Sequence, residues 1–151
     1  MIPVNEPLIS GNAKKYVLDC IETGWVSSVG KYIEKFEKNF ADFLGVKYAT
    51  TTTNGLASLH LALVSLGIGK GDEVIIPDLT IISCALAITY TGATPVLVDV
   101  DEKTGNIDPG RIEEKISKRT KAIMVVHLYG HPADMDPIMS LAKKYKIAVV
   151  E

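Results

Sequence analysis

The sequence is poor in the residues that mark several classes of protein. Among its 151 residues there are only two cysteines, Cys20 and Cys84, and both lie in apolar segments. We therefore expect buried, free thiols of a reducing compartment and no disulfide framework. The formal net charge of -2 provides neither a basic surface for nucleic acid nor a polybasic patch for a membrane. The first ten residues lack a basic start and an apolar core, so we expect no signal peptide there.

Long uncharged runs are equally scarce. One such run, residues 79–98, is long enough to suggest a membrane-spanning helix. It is interrupted by polar and helix-breaking residues: Ser83, Thr89, Tyr90, Thr91, Gly92 and Pro95. We therefore predict a buried helix, a glycine turn and a buried strand in this segment, and no membrane span.

Amphipathic helical patterns occupy the first third of the chain. Apolar residues recur at helical spacing in 16–21, after the cap-like stretch "SGN", and again in 33–43 before Gly45. Glycine is the residue expected just past the end of a helix. The stretch "TGWVSSVG" between the two helices is predicted to be a loop, in which Trp25 either packs as an anchor or helps to line a pocket.

Strand and helix patterns alternate in the rest of the chain. Apolar strands are predicted at 48–52, 73–77, 95–100, 121–129 and 147–150, with helices at 56–66 and 82–91. Asp108-Pro109 and Asp136-Pro137 have the form of an N-cap followed by proline, which predicts two further helix starts. Because the strands are apolar throughout and alternate with helices, we predict an α/β fold with a mainly parallel sheet and helices on both faces.

The stretch "TTTNGLASLH" turns abruptly from a β-branched run into a helical pattern at Asn54-Gly55. A strand that turns through glycine into a helix presents unpaired backbone N–H groups. Together with the helix dipole, these groups form a seat for an anion such as phosphate. An ordinary strand-to-helix turn explains the same stretch, so the residues alone leave both interpretations open.

Other motifs do not fit the chemistry that they suggest. In "GIGKGD", Asp72 stands where a dinucleotide fingerprint has its last glycine, and the segment follows a helix rather than a strand. In "DVDEKTGNIDPG", threonine and glycine stand where a calcium loop needs glycine and glutamate. The three histidines lack metal-binding spacing, so no metal site is predicted. His127, at the end of a strand, is the best placed of them for a site, but a structural role is favoured.

Two residues follow the predicted strand 73–77 at its carboxyl end, where ligands of open α/β sheets bind. They are Ile81 and Ser83. Ile81 either covers a planar ligand or fills the core. No Ser-His-Asp arrangement and no pair of carboxylates is indicated, so no catalytic residue is predicted and the residues alone identify no reaction.

Three longer stretches resemble the DegT/DnrJ/EryC1/StrS family of nucleotide-sugar aminotransferases, which use pyridoxal 5'-phosphate. They are "NEPLISGNAKKYVLDCIETGWVSSVGKYIEKFEKNFADFLGVKYA", "NGLASLHLALVSLGIGKGDEVIIPDLTIISCALAITYTGATPVLVDVD" and "NIDPGRIEEKISKRTKAIMVVHLYGHPADMDPI". The phrase "PDLTIISC" is similar to the perosamine synthases within the family, which aminate a GDP-4-keto-6-deoxymannose. The resemblance implies that residues 1–151 are the N-terminal portion of the large domain of a fold type I, aspartate aminotransferase-like enzyme.

In this family the bend before the helix holds the phosphate of the cofactor, usually through Asn/Ser-Gly-Thr and the following alanine. The resemblance therefore implies that Gly55, Leu56 and Ala57 bind the cofactor, although leucine replaces the usual threonine and removes a hydroxyl. It also implies that Ile81 packs on the pyridine ring, where the family often has an aromatic residue, and that Ser83 lies near the cofactor.

The chemistry of the family needs groups beyond these 151 residues. Glu151 matches the first residue of an "EDAA"-type motif whose aspartate holds the pyridine nitrogen protonated, and the Schiff-base lysine lies farther on. We therefore expect this chain to lack the rest of the large domain and the C-terminal small domain, and to be inactive alone. The intact enzyme is implied to be a cytoplasmic homodimer that transfers an amino group from glutamate to a 4-keto-6-deoxy sugar nucleotide, with pyridoxamine phosphate as an intermediate. The alternatives are a dehydratase of the same family, with histidine in place of that lysine, and a non-catalytic binding or regulatory module.

Overall fold

The structure is a computed structural model that describes residues 2–3 and 5–151. Met1 and Val4, in the segment predicted not to be a signal peptide, lie outside the described residues. The chain divides into two compact units, Met1–Thr51 and Thr52–Glu151. No helix in the described part of the chain is both long and apolar enough to cross a membrane.

The secondary structure follows the predicted alternation closely in the second unit. The helices are α1 (Ala13–Glu22), α2 (Lys31–Leu44), α3 (Gly55–Ser65), α4 (Ser83–Thr91), α5 (Pro109–Ile112) and α6 (Met135–Tyr145). The strands are β1 (Glu73–Pro77), β2 (Thr94–Val98), β3 (Thr120–Met124) and β4 (Ala148–Val150). Short 3-10 turns at Glu113–Lys115 and Leu128–Gly130 follow α5 and β3.

The first unit contains the two predicted amphipathic helices. Helix α2 ends at Leu44, and the next residue, Gly45, adopts a left-handed conformation with φ 68° that favours glycine. The apolar faces of α1 and α2 are largely exposed: α1 has no buried residue, and Phe43 of α2 exposes 83% of its surface. The predicted helices are therefore confirmed, but they form little core of their own.

The predicted strand 48–52 is wrong. This segment pairs with no other strand among the described residues. The backbone N–H of Thr51 instead donates a 2.8 Å hydrogen bond to Oε1 of Glu37, and the Thr51 hydroxyl donates to the same oxygen at 3.0 Å. A β-branched run favours an extended backbone, but a strand also needs a neighbour to pair with.

The second unit is built on a four-stranded sheet with the order β2-β1-β3-β4. All three strand pairs are parallel. Parallel neighbours need a crossover connection, and α4, α5 and α6 supply one between each successive pair of strands. The carboxyl ends of all four strands therefore meet at one edge of the sheet, which is where the predicted site residues follow β1.

Helices cover both faces of this sheet, as predicted. Successive side chains of a strand point to opposite faces. On one face, Val74 and Ile76 of β1 belong to a buried cluster with Leu63 of α3 and with α4. On the other face, Ile75 belongs to a cluster with Ile112 of α5 and with α6. The parallel α/β fold class is therefore confirmed.

Three predicted boundaries differ from the structure by two residues or more. Strand β2 ends at Val98, before the predicted end at residue 100. Strand β3 ends at Met124, before the predicted end at residue 129, because the backbone leaves the ladder and enters the 3-10 turn. Helix α6 begins at Met135 with Asp134 at its N-cap position, so the predicted cap at Asp136 is wrong. Asp136 lies in the first turn, where the helix dipole favours a carboxylate.

The predicted cap at Asp108 is confirmed, but the burial predicted for the strand after Gly92 is wrong: β2 is the first strand in the sheet order, and its Leu97 exposes 56% of its surface. Asp108 caps α5, since its side chain accepts a 2.9 Å hydrogen bond from the backbone nitrogen of Gly110. Both cysteines are free thiols. Cys84 is buried, whereas Cys20 is only partly buried, so the expectation of buried thiols holds for Cys84 alone.

Candidate functional site

The bend before α3 is a capped helix start. Asn54 has an extended backbone (φ -168°, ψ 170°), and its Oδ1 accepts a 2.9 Å hydrogen bond from the backbone nitrogen of Ala57. The Thr52 hydroxyl donates to the carbonyl oxygen of Asn54 at 3.1 Å and fixes the approach to the bend. For the N–H groups of Gly55 and Leu56, the described part of the chain offers no hydrogen-bond acceptor. The bend therefore presents two backbone donors at the positive end of a helix dipole.

There is open space beside Gly55. A Cβ atom built on Gly55 meets no heavy atom within 4 Å, and the residue itself is exposed. The side chain of Leu56 is partly buried against the cluster around Leu63. Leu56 can therefore offer its amide to an anion while its side chain belongs to the core. This geometry fits a small anionic group such as a phosphate.

Ala57 differs from the other two residues of the predicted phosphate seat. Its amide already donates to the side chain of Asn54, so it can serve an anion only if that side chain turns away. Of the three predicted residues, Gly55 and Leu56 therefore have available donors in this structure. The binding role of Ala57 stays a prediction.

Ile81 and Ser83 lie after β1, at the edge of the sheet where the strands end. Ile81 exposes 65% of its surface, so the interpretation that it fills the core is wrong. Ser83 is the first residue of α4 and is partly buried. Helices α3 and α4 belong to the same core cluster, which brings the bend at Gly55 and the start of α4 to the same face of the sheet. The structure records no hydrogen bond between these two segments.

The polar loop that precedes α5 covers part of the same edge of the sheet. Gly105 has φ +70°, and a Cβ atom there would lie 3.1 Å from Cδ2 of Leu128 and 3.7 Å from Cδ2 of Leu79. The loop before α5 therefore packs on the segments that follow β3 and β1. Within it, the backbone amides of Thr104 and Lys103 donate to the Asp101 carboxylate at 3.0 Å, which holds the pKa of that group below its usual value.

Sequence reasoning missed one residue at this edge, Asn106, and it did not predict that His127 and Glu151 contact each other. Asn106 is 3% exposed; its Nδ2 donates to the carbonyl oxygen of His131 and its Oδ1 accepts from the backbone nitrogen of Leu128, both at 2.9 Å. Nε2 of His127 lies 2.9 Å from Oε2 of Glu151. Asparagine in a polar loop gives no signal of burial. The end-of-strand positions of His127 and Glu151 were the only available sign that they meet.

Trp25 belongs to the first unit and is considered there alone. It exposes 53% of its surface and lines an apolar cavity of about 850 Å³ with residues of α1 and α2. The same cavity is lined by Tyr16, Val17, Cys20, Ile21, Phe36 and Phe40. Of the two interpretations of Trp25, the lining of a pocket agrees with this placement.

Comparison with known proteins gives a consistent result over nearly the whole chain. Residues 7–151 match the DegT/DnrJ/EryC1/StrS aminotransferase family. A GDP-perosamine synthase of Caulobacter vibrioides is 55% identical over 150 residues, which are 99% of this chain and 40% of that protein. A GDP-perosamine synthase of Escherichia coli O157:H7 is 53% identical and is covered to 41% of its length.

The same fold occurs in a solved structure. The structure of NtdA from Bacillus subtilis with bound cofactor PMP superimposes with a TM-score of 0.85 and 36% sequence identity, and the match covers 90% of this chain and 31% of that protein. The chain thus spans about 40% of the length of the curated relatives that it matches. Since the family match extends over residues 7–151, the chain belongs to the DegT/DnrJ/EryC1/StrS aminotransferase family.

Proposed function

We propose that residues 1–151 are the N-terminal portion of the large domain of a sugar aminotransferase that binds pyridoxal 5'-phosphate. The observation that carries this proposal is the pair of backbone donors at Gly55 and Leu56, which have no acceptor among the described residues and lie at the start of α3, with open space beside Gly55. The relatives named as GDP-perosamine synthases support the reaction type, and the related structure with bound PMP supports the cofactor.

In this proposal each residue of the site has a definite task. Gly55 and Leu56 bind the phosphate through their amides, and Asn54 holds the bend in shape by capping α3. Ile81, which projects from the end of β1 with most of its surface exposed, packs on the pyridine ring. Ser83, at the start of α4, lies near the cofactor. When bound, pyridoxal phosphate supplies a ring that accepts electrons during amino transfer.

The names of the relatives support a GDP sugar as the substrate class, and the family resemblance supports its 4-keto-6-deoxy form and the amino donor. Glutamate is the amino donor, and the acceptor is a 4-keto-6-deoxy sugar nucleotide of the GDP series. We propose that the intact enzyme is a cytoplasmic homodimer. The exposed apolar faces of α1 and α2 supply the kind of surface that an obligate partner covers.

A chimera tests this proposal. The aligned 150 residues of the Caulobacter vibrioides relative are replaced by those of this chain, and the purified protein receives GDP-4-keto-6-deoxymannose, glutamate and pyridoxal phosphate. We expect an aminated GDP sugar together with 2-oxoglutarate. A folded chimera that binds the cofactor but forms no aminated sugar would contradict the proposal. The dehydratase alternative, which the transaminase relatives do not favour, depends on the residue at the Schiff-base position, and the chimera takes that residue from the relative.

The chain by itself provides a second arm of the test. We expect that treatment with pyridoxal phosphate and then borohydride labels no specific lysine, because the reactive lysine lies outside these residues. A single lysine labelled stoichiometrically would contradict this expectation. A folded chimera that shows neither reaction nor cofactor binding would support a non-catalytic binding module.

A further inference from the structure

His127 lies between two hydrogen-bonding partners at the carboxyl end of β3. The backbone nitrogen of Ala133 donates to its Nδ1 at 3.0 Å, and its Nε2 lies 2.9 Å from Oε2 of Glu151. Because a backbone N–H can only donate, Nδ1 must accept and carries no proton. The proton of the neutral imidazole is therefore on Nε2, where it faces the carboxylate of Glu151.

The loop that carries His127 is itself fixed. The buried side chain of Asn106 makes one hydrogen bond to the backbone of Leu128 and another to the backbone of His131, so it holds both ends of the 3-10 turn. Between these anchors Tyr129 adopts a left-handed conformation with φ 51°, which is unfavourable for a residue with a side chain. A buried amide that satisfies two backbone groups can maintain such a conformation.

Glu151 is brought to His127 by the sheet. The backbone nitrogen of Val125 donates a 2.7 Å hydrogen bond to the carbonyl oxygen of Val150, at the last contact between the segments of β3 and β4. His127 and Glu151 follow directly at the two neighbouring carboxyl ends. The Glu151 side chain is 56% exposed, and the only side-chain partner that the described residues give it is the imidazole.

We propose that His127 is a positioning residue for Glu151: its Nε2–H group, directed by the amide of Ala133, holds this carboxylate at the ligand-binding edge of the sheet. The inference rests on the proposed function, since the edge matters only if the cofactor binds there. An exposed glutamate otherwise samples several side-chain conformations. When the imidazole of His127 is in place, one carboxylate oxygen of Glu151 has a fixed hydrogen-bond donor, and the negative charge of this carboxylate has a fixed position.

The tautomer is the first readout, and it does not depend on cofactor binding. Long-range ¹H–¹⁵N spectra of the uniformly labelled chain are expected to show His127 as the Nε2–H tautomer. His131, which is exposed and has no side-chain hydrogen bond in the described structure, serves as the internal control for an unrestrained ring. A His127 spectrum with the same rapidly exchanging mixture as His131 would overturn the proposal.

Two matched variants separate positioning from simple packing. Glutamine in His127→Gln keeps an amide donor near the place of Nε2, whereas asparagine in His127→Asn keeps an acceptor for Ala133 but cannot reach Glu151. We expect the side-chain carboxyl ¹³C resonance of Glu151 to move toward that of an unstructured glutamate in His127→Asn and to stay near the parent position in His127→Gln. If it is unchanged in both variants, His127 does not position Glu151, even if the chain binds the cofactor.

Discussion

Oδ1 of Asn54 and the backbone nitrogen of Ala57 are 2.9 Å apart, and this hydrogen bond closes the first turn of α3. The bond satisfies one of the orphan N–H groups at the helix start and leaves those of Gly55 and Leu56 without an acceptor among the described residues. One side chain thus both stabilises the helix and determines which amides are available to an anion.

The cap is expected to contribute measurably to stability. Asn54→Ala removes the acceptor for Ala57 and should lower the free energy of unfolding by about 1 kcal/mol, measured by urea denaturation. Asp134 is the control, because it occupies the N-cap position of α6 without a side-chain capping bond. Asp134→Ala should change the free energy by less than about 0.5 kcal/mol. Equal losses of unfolding free energy in the two variants would show that the capping hydrogen bond of Asn54 does not stabilise the helix.

The missing hydroxyl at residue 56 leads to a gain-of-affinity prediction. Leu56→Thr adds a hydroxyl at the anion seat, and one further hydrogen bond of about 1 kcal/mol corresponds to roughly five-fold tighter binding of pyridoxamine phosphate. Isothermal titration of the chain provides the measurement. Leu59→Thr makes the same change in a neighbouring residue that also packs against the core cluster. If both variants alter the affinity alike, the hydroxyl does not act at the proposed seat.

A polar cluster at the amino end of β1 should stabilise the sheet. The carboxylate of Glu73 is 10% exposed, accepts from the Ser117 hydroxyl and pairs with Arg119. Glu73→Gln should lower the free energy of unfolding by about 1–2 kcal/mol, because a buried charged hydrogen-bond network loses its acceptor charge. Glu114→Gln removes an exposed carboxylate of the same unit and should be close to neutral. A Glu73 variant as stable as the Glu114 variant would contradict this account.

The carboxylate of Glu37 should make the stability of the first unit depend on pH. The backbone N–H of Thr51, followed by the Thr51 hydroxyl, holds the pKa of this carboxyl below its usual value of 4.5. The pKa of Glu37 is lower in the folded state than in the unfolded state. Its stabilisation is therefore complete at a pH above the pKa of the unfolded state, and it is lost as the pH falls through the pKa of the folded state. We expect a ¹³C titration of the Glu37 side chain to have its midpoint below 4.5.

The matched variant is Glu34→Gln, which removes a carboxylate from the same helix. In Glu37→Gln the loss of helical circular dichroism on acidification should become shallower than in the parent chain, whereas Glu34→Gln should keep the parent profile. A Glu37 midpoint at or above 4.5 would mean that the bond to Thr51 is not maintained in solution.

The architecture of the second unit could be predicted because its signals are local. Apolar strands alternate with helices, and this pattern leaves few alternatives to a parallel sheet covered on both faces. The strand predicted at 48–52 was wrong because pairing depends on a neighbour that the local sequence does not reveal. The turn into α3 at Asn54-Gly55 was predicted from the sequence, whereas the Asn54 cap and its consequence for Ala57 require the side-chain geometry.

The rest of the site depends on contacts between distant parts of the chain. Asn106 binds the backbone of Leu128 and of His131, which are 22 and 25 residues away. His127 and Glu151 are separated by 24 residues and meet only because β3 and β4 are neighbours. No periodicity or motif encodes such pairs, so the sequence could identify the edge of the sheet but not the hydrogen bonds that organise it.

The most direct test of the central claim is the backbone amide spectrum of the chain with pyridoxamine phosphate and with pyridoxamine, which lacks the phosphate. We predict that the phosphate compound shifts the amide signals of Gly55 and Leu56 in a saturable way, that Ala57 shifts less because its amide remains bonded to Asn54, and that pyridoxamine leaves all three unchanged. If Gly55 and Leu56 respond equally to both compounds, or to neither, the bend at Asn54 is not a phosphate seat.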